Sequence, residues 1–367
     1  METAAFDPFP SLAHQLQFRF ARLFPLAVFA ACALWLGAQT HPRHAPPPAN
    51  GLLRIYSIDV EGGQATLFVA PSGQSLLVDT GWPGNDARDA IRIAAAMHDA
   101  HILRIDHVLI THYHDDHVGG ITNLVHRVRV GDFYDHGENR EDSDVTRKNY
   151  AAYLDAIKGH PRHIVHPGDT IPIPGLNIVV LAADGNHIRQ VPGITPEPNA
   201  YCGAEPKWTE DTSENARSVG ILVRFGQFSF LDLGDLTGAK EVALVCPTNP
   251  IGTVDLFLVS HHGMNLSNSR ALVDAIRPRV AIMNNGAHKG GSPEAWERVH
   301  QIPGLQDLWQ LHTAEDADAA HNSPADLIAN PAGTPDAGHC LKVEALANGN
   351  FSVINSRTGQ AKQYPRK

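Results

Sequence analysis

Two catalytic signatures are missing from this chain of 367 residues. No Gly-x-Ser-x-Gly segment occurs, so nothing signals a serine nucleophile on a strand-to-helix elbow, and no Gly-x-x-x-x-Gly-Lys-Ser/Thr loop offers a backbone cradle for nucleotide phosphates. Cysteine is scarce. Of the four, Cys32 lies in an apolar N-terminal run, which leaves Cys202, Cys246 and Cys340 for the body. An odd number is no disulfide framework. Cys246 closes the helical run 238-GAKEVALVC-246 and reads as a core residue, whereas Cys202 and Cys340 sit in loop-like sequence and could pair after export. Positive charge is also in deficit: Lys and Arg number 29 against 39 Asp and Glu, a net of −10. That balance leaves no strong nucleic-acid footprint, although a phosphate substrate bound through metal remains open. After residue 40 there is no run of about twenty apolar residues, so no membrane channel is expected.

What is present suffices for a buried core, with 43% apolar residues in a length that fits one large domain or two ordinary ones. Arg19 and Arg22 precede the uncharged run 23-LFPLAVFAACALWLGAQ-39, which suits the apolar region of a signal peptide better than a full membrane span. Residues 1–40 are therefore expected to be a signal peptide or membrane anchor, with small residues at Gly37 and Ala38 as a cleavage region. Residues 41–51 read as a Pro-rich tether. The protein is expected to be exported, periplasmic or secreted, touching a membrane only through an uncleaved N-terminal segment. Residues 52–367 form the folded body.

That body begins strand-rich, with 52-LLRIYSIDV-60, 64-QATLFVAP-71 and 75-SLLVDTG-81 separated by Gly- and Pro-containing turns. A helix over 86–100, with Ala90, Ile93, Ala94 and Met97 on one face, leads back into a strand at 105–110. A second set repeats the order: hairpin 218–235, helix 238–246, strand 254–260, helix 269–276, strand 279–285, helix 293–301 and strand 307–312. Two sheets with helices packed outside them is the natural packing of such halves. Residues 182–216 have neither period and are long for a connection, so they are expected to be an insertion near a site.

The stretch 111-THYHDDHVGG-120 follows a strand and places three histidines and two aspartates within seven residues. His112 and His114 are two apart, so in extended backbone they leave on the same side and can reach one ion. Asp116 and His117 precede a Gly-Gly turn, project differently and could serve a second ion. Imidazole with carboxylate suits zinc above all, with manganese or iron as alternatives.

In these residues the chain resembles the metallo-β-lactamase superfamily, whose hallmark is His-x-His-x-Asp-His after a strand. The resemblance covers most of residues 52–312 and implies a four-layer αββα sandwich of the α/β class. It also implies that Asp79 in 77-LVDTG-81 orients a histidine, that Asp235 in 231-LDLGD-235 bridges two ions, and that the last ligand lies in 258-LVSHHG-263. A following Gly favours His262 there, while His261 could orient substrate or cap the strand. The metal ligands implied are His112, His114, Asp116, His117, Asp235 and His262, for one or two zinc ions.

One position departs from the pattern: Asn215 stands where the family usually supplies another histidine. This version, with Asn-x-x-Ser, Gly-Asp and His-His-Gly, resembles the hydrolase domain of ComEC-type competence proteins, as does 284-NNGAHKGGSPEAW-296. Amide oxygen is a poor zinc ligand, so the pocket of His112 and His114 is expected to be the weaker, and His187 in the insertion could replace the missing ligand. Asp79, Asp116, Asn215 and His288 are the candidates for catalytic roles, His288 as an acid or phosphate contact. The function implied is hydrolysis by metal-activated water, on a phosphodiester or related small ester. A β-lactam or lactone is the alternative substrate, and a non-catalytic metal-binding protein is the rival from another class.

Overall fold

A computed structural model describes residues 51–203 and 207–366. The expected leader, its cleavage region and nearly all of the tether lie outside them. Among the described residues no helix is long and apolar enough to cross a membrane.

Two mixed sheets of nine strands each form the centre. The first runs Ala361–Tyr364, Phe351–Asn355, Leu341–Ala345, Leu53–Ser57, Thr66–Val69, Ser75–Val78, Arg104–Leu109, Arg129–Asp135 and Arg162–Ile164. It is antiparallel up to Ser75–Val78 and parallel beyond. The second runs Ile328–Asn330, Asp307–His312, Val280–Met283, Leu256–Leu258, Phe228–Asp232, Gly220–Phe225, Asn177–Ala183 and Thr170–Ile171, with Asn186–His187 paired to Asn177–Ala183.

Strand alternation sorts the apolar side chains into three cores. Leu53, Ile55, Phe68, Leu76 and Val78 of the first sheet meet Ile221, Val223, Phe230, Leu256 and Ile282 of the second between the sheets. Phe68 and Phe230 pack edge to face there with centroids 5.2 Å apart. Their strand neighbours Tyr56, Leu67, Leu77 and Val108 point the other way, onto Ala90, Ile93 and Met97 of helix Arg88–Asp99 and onto Ile121, Leu124 and Tyr153. On the far side, Leu222, Leu231, Phe257 and Ala281 face Leu244, Leu272, Ile276, Trp296 and Val299 of the helices Gly238–Val245, Arg270–Ile276 and Pro293–His300. Helix, sheet, sheet and helix are thus four layers, the αββα sandwich expected.

Two expectations need correction. The pairing of Cys202 with Cys340 does not occur: Cys202 is bonded to Cys246 and Cys340 is free. Cys246 ends helix Gly238–Val245 and faces the segment carrying Cys202, so it staples the insertion to the second sheet's helical layer. The insertion is not wholly irregular, since strand Asn177–Ala183 reaches into it and Glu197–Pro198 pairs with Thr248–Asn249. Beyond residue 312 the first sheet continues: Leu341–Ala345 pairs with Leu53–Ser57, and two more strands extend that edge.

Candidate metal centre

Every side chain of the centre stands just beyond the C-terminal end of a strand. Asp79 follows Ser75–Val78, the His112 turn follows Arg104–Leu109, Asp235 follows Phe228–Asp232, and the His261–His262 turn follows Leu256–Leu258. Short helix Asp115–Val118 carries Asp116 and His117. Its exit is fixed by Gly120, where a Cβ would lie 2.0 Å from the Thr80 carbonyl oxygen. Asp79, His261 and His262 have φ of 60°, 56° and 54°, left-handed conformations that non-glycine residues keep only where the surroundings enforce them.

Asp116, His117, Asp235 and His262 are all buried and offer donor atoms to one point. His117 Nε2 lies 3.1 Å from His262 Nε2, 3.4 Å from Asp116 Oδ2 and 3.2 Å from Asp235 Oδ2, and His262 Nε2 lies 3.2 Å from Asp116 Oδ2 and 3.3 Å from Asp235 Oδ1. Bonds of about 2.0–2.1 Å in a tetrahedral ion place neighbouring donors about 3.3 Å apart. The four residues therefore fit a zinc-sized divalent cation.

Orientation supports the same assignment. His117 Nδ1 is 2.7 Å from Asp79 Oδ2, which also accepts from Thr111 Oγ1 at 2.6 Å, while Asp79 Oδ1 accepts from the Thr111 amide at 2.7 Å. A proton held on Nδ1 by that carboxylate turns the Nε2 lone pair toward the cluster. In the metal-free protein burial would depress the His117 pKa, but the carboxylates of Asp235, Asp116 and Asp79 outweigh it and hold it well above the ordinary value. Burial likewise opposes ionisation of Asp116 and Asp235, yet His117 and its neighbours keep both well below the usual carboxylate range. A cation entering must displace the His117 proton, so its affinity rises with pH.

A second set adjoins the first. His112 Nε2 lies 3.1 Å from His114 Nδ1 and 4.0 Å from Asp235 Oδ2. His114 Nε2 sits 3.0 Å from Glu141 Oε2, which leaves Nδ1 to face His112. Glu141 also accepts from the Glu214 amide at 2.9 Å, next to Asn215. Burial and the neighbouring histidines push the His112 pKa well down, so its ring is neutral and its nitrogen available. His261 joins this side, with Nε2 at 3.4 Å from Asp235 Oδ2 and Nδ1 at 3.2 Å from Ser267 Oγ, and burial lowers its pKa to about 4.

Other candidates fall elsewhere. Asn215 opens the turn Asn215–Arg217 with Oδ1 buried and lacking a hydrogen bond, and it lines a cavity of about 380 Å³ with Trp208, Thr237 and Leu266. His187 lies on the Asn177–Ala183 edge, its pKa lowered by burial and by Arg189 and Lys240, and no hydrogen bond joins it to the histidines among the described residues. The structure does not bring His288 to the cluster: its ring turns outward, 69% exposed, to Asp316 at 3.2 Å. The next residue, Lys289, reaches in instead and forms an ion pair with Asp116. Glu141 and Lys289 carried no signal in the sequence pattern, because each meets its partner only through the fold.

Buried imidazole and carboxylate donors at strand ends of an αββα sandwich form a candidate metal site. Residues 58–197 match the family profile described as Metallo-beta-lactamase superfamily. The chain is 25% identical to Recombination protein 2 of Haemophilus influenzae over 235 residues, 64% of this chain and 24% of that protein. It is 32% identical to a hydroxyacylglutathione hydrolase of Serratia proteamaculans over 98 residues, 27% of this chain and 32% of that one. The chain thus spans about a third or less of the length of these two relatives. Among solved structures it is similar to the metallo-beta-lactamase fold protein YhfI from Bacillus subtilis, with TM-score 0.44 and 12% identity, covering 71% of this chain and 96% of that one.

Proposed function

We propose that this protein is a metal-dependent hydrolase acting on a phosphodiester or a related small ester. The observation that carries the reading is the convergence of Asp116, His117, Asp235 and His262, in which the two Nε2 atoms lie 3.1–3.4 Å from each other, from Asp116 Oδ2 and from the oxygens of Asp235. Resemblance to Recombination protein 2 supports the phosphodiester. Asp116, His117, Asp235 and His262 would hold a divalent ion, zinc by preference, which would supply Lewis-acid activation of water and of the electrophile. The chain's own residues prepare that chemistry: Asp79 fixes the tautomer of His117, Glu141 that of His114, and Asp235 faces both sets. The donors of the His112–His114 pocket converge less closely, His112 Nε2 lying 4.0 Å from Asp235 Oδ2 against 3.2 Å for His117 Nε2, so that pocket should empty first when metal is limiting.

The test is metal content together with parallel assays of zinc-, manganese- and iron-loaded protein on an activated phosphodiester, a thioester, a chromogenic cephalosporin and a lactone. Phosphodiester turnover that disappears with the metal in His117→Ala supports the reading. Tight metal binding with no turnover of any ester would make the protein a binding module. Export is part of the proposal. The N-terminal pattern and the Cys202–Cys246 bond, which an oxidising compartment preserves, support it, and a reporter fused after Asn50 that is active only in the cytoplasm would refute it.

A further inference from the structure

The ammonium of Lys289 is set into the wall of the metal centre by contacts that a solvent-facing lysine would not need. It pairs with Asp116 Oδ2, the same oxygen that faces His262 Nε2 at 3.2 Å and His117 Nε2 at 3.4 Å. It donates to the Gly62 carbonyl at 2.9 Å and stands 5.0 Å from the centroid of the Trp82 ring. The loop that delivers it is clamped to the His262 turn: the amides of Gly291 and Ser292 donate to the carbonyls of His262 and Gly263, each at 2.9 Å, and the Gly286 amide closes on the Lys289 carbonyl at 2.8 Å. Gly290 has φ +76°, and a Cβ there would lie 2.1 Å from the His262 carbonyl oxygen. The Lys289 loop is therefore tied directly to the His262 turn.

An ammonium has three donors, and here two are taken by Asp116 and Gly62. The side chain is 32% exposed, so the remaining direction is reachable from solvent. Once Asp116 shares that oxygen with a cation, its charge compensates the ammonium less, and the other groups it contacts are a carbonyl and an aromatic face. A half-buried positive charge beside a divalent ion is poorly compensated by those groups, and an oxyanion compensates it best.

We propose that Lys289 is the anion-binding residue of the site, selecting substrates that carry a fixed negative oxygen next to the reacting bond, as a phosphate diester does. This deepens the reading of the protein as a phosphodiester hydrolase and rests on it for the substrate class. Lysine suits the task because a point charge accepts a phosphoryl oxygen from a range of directions, whereas a planar carboxylate is better matched by arginine.

The experiment is calorimetric titration of the zinc-loaded full chain with inorganic phosphate and, separately, acetate, using wild type, Lys289→Ala, Lys289→Gln and Lys289→Arg at matched zinc content. Lys289→Gln keeps the stem packed on Trp82 while removing the charge. The phosphate dissociation constant should rise about tenfold or more in the Ala and Gln variants and be largely restored in Arg, with acetate weak throughout. Steady-state kinetics should show the loss chiefly in KM for a phosphodiester, and in larger ratio than any loss for a neutral ester. Equal phosphate affinity in wild type and Lys289→Gln at equal zinc content overturns the inference. So does a variant that loses zinc while each remaining loaded site binds phosphate as before, since Lys289 would then serve Asp116 alone. Lysine-dependent phosphate binding without ester turnover would sink the hydrolase reading and leave the anion site standing. Phosphodiester turnover indifferent to Lys289 would do the reverse.

Discussion

Replacing Asp79 by Asn tests whether the centre depends on a histidine tautomer. Asp79 has φ 60°, a conformation that asparagine accepts as readily as aspartate and that alanine resists, so the substitution spares the backbone. If the amide oxygen keeps the Thr111 amide at the 2.7 Å position, the amide nitrogen faces His117 Nδ1, also at 2.7 Å. It then donates to Nδ1 and drives the ring proton onto Nε2, the atom that should face the ion. If the amide turns over, two donors meet at Thr111 and a buried hydrogen bond is lost, costing about 1–3 kcal/mol of stability. Losing such an orienting partner weakens metal affinity by about 10- to 100-fold, or about 1.4 to 2.8 kcal/mol. Removing one of the three neighbouring carboxylates also lowers the His117 pKa and eases loss of the competing proton. Chelator competition is therefore run from about pH 7 to about pH 9, because a tautomer defect persists at high pH whereas proton competition fades. Unchanged zinc affinity across that range, with an unchanged melting curve, would refute the argument that Asp79 acts through His117.

Three further outcomes are expected. Glu141→Ala frees His114 Nε2 and the Glu214 amide, so a two-site metal titration should show the weaker site loosened by about tenfold and the tighter one preserved. Away from the centre, buried Asp59 lies 2.8 Å from His312 Nε2 and 2.9 Å from Arg92. Burial opposes both charges, but their hydrogen bond and mutual attraction raise the His312 pKa and lower that of Asp59. The His312 contribution is complete below about pH 6.5 and is lost as pH rises through its folded value. The Asp59 contribution is present above about pH 3.9 and is lost as pH falls through its folded value. Urea midpoints should therefore decline on the alkaline side in wild type and show a flatter decline in His312→Gln. Cys202→Ser opens a cross-link spanning 44 residues, and the unfolding free energy under oxidising conditions should fall by about 4 kcal/mol by the chain-entropy argument. Reductant should produce the same loss in wild type and none in the variant.

Local pattern made much of this molecule legible. The alternation in Leu53–Ser57 and Gly220–Phe225 and the helical spacing of Ala90, Ile93 and Met97 are short-range signals, and the packed cores use those faces. Ala96, rather than Ala94, completes the helix face. Elements of weak local contrast were not legible: Asp144–Ala156 has only Thr146 and Tyr153 buried. The alternating Leu341–Ala345 was missed as well, lying beyond the segment that the family pattern covers. Among site residues, the histidine cluster is written within seven positions, so spacing exposed it. Glu141, Lys289 and the Cys246 partner of Cys202 meet their partners across folds of chain that no spacing rule spans. His288 and Lys289 show the limit most sharply, because adjacent residues in one loop point to opposite fates, and only the glycines after them hint at a constrained turn.

The seam between Leu53–Ser57 and Leu341–Ala345 has a consequence for how the protein is made. The strand Leu53–Ser57 has one neighbour, Thr66–Val69, until the ribosome has produced the whole stretch up to Leu341–Ala345. An unpaired strand edge is adhesive, and closing so distant a pair comes late in folding. A chain delivered through a membrane amino end first would carry that open edge throughout its passage. The sheet would zip shut only after Leu341–Ala345 had arrived, so shortening the chain before Leu341 should promote aggregation while leaving every residue of the metal centre in the sequence.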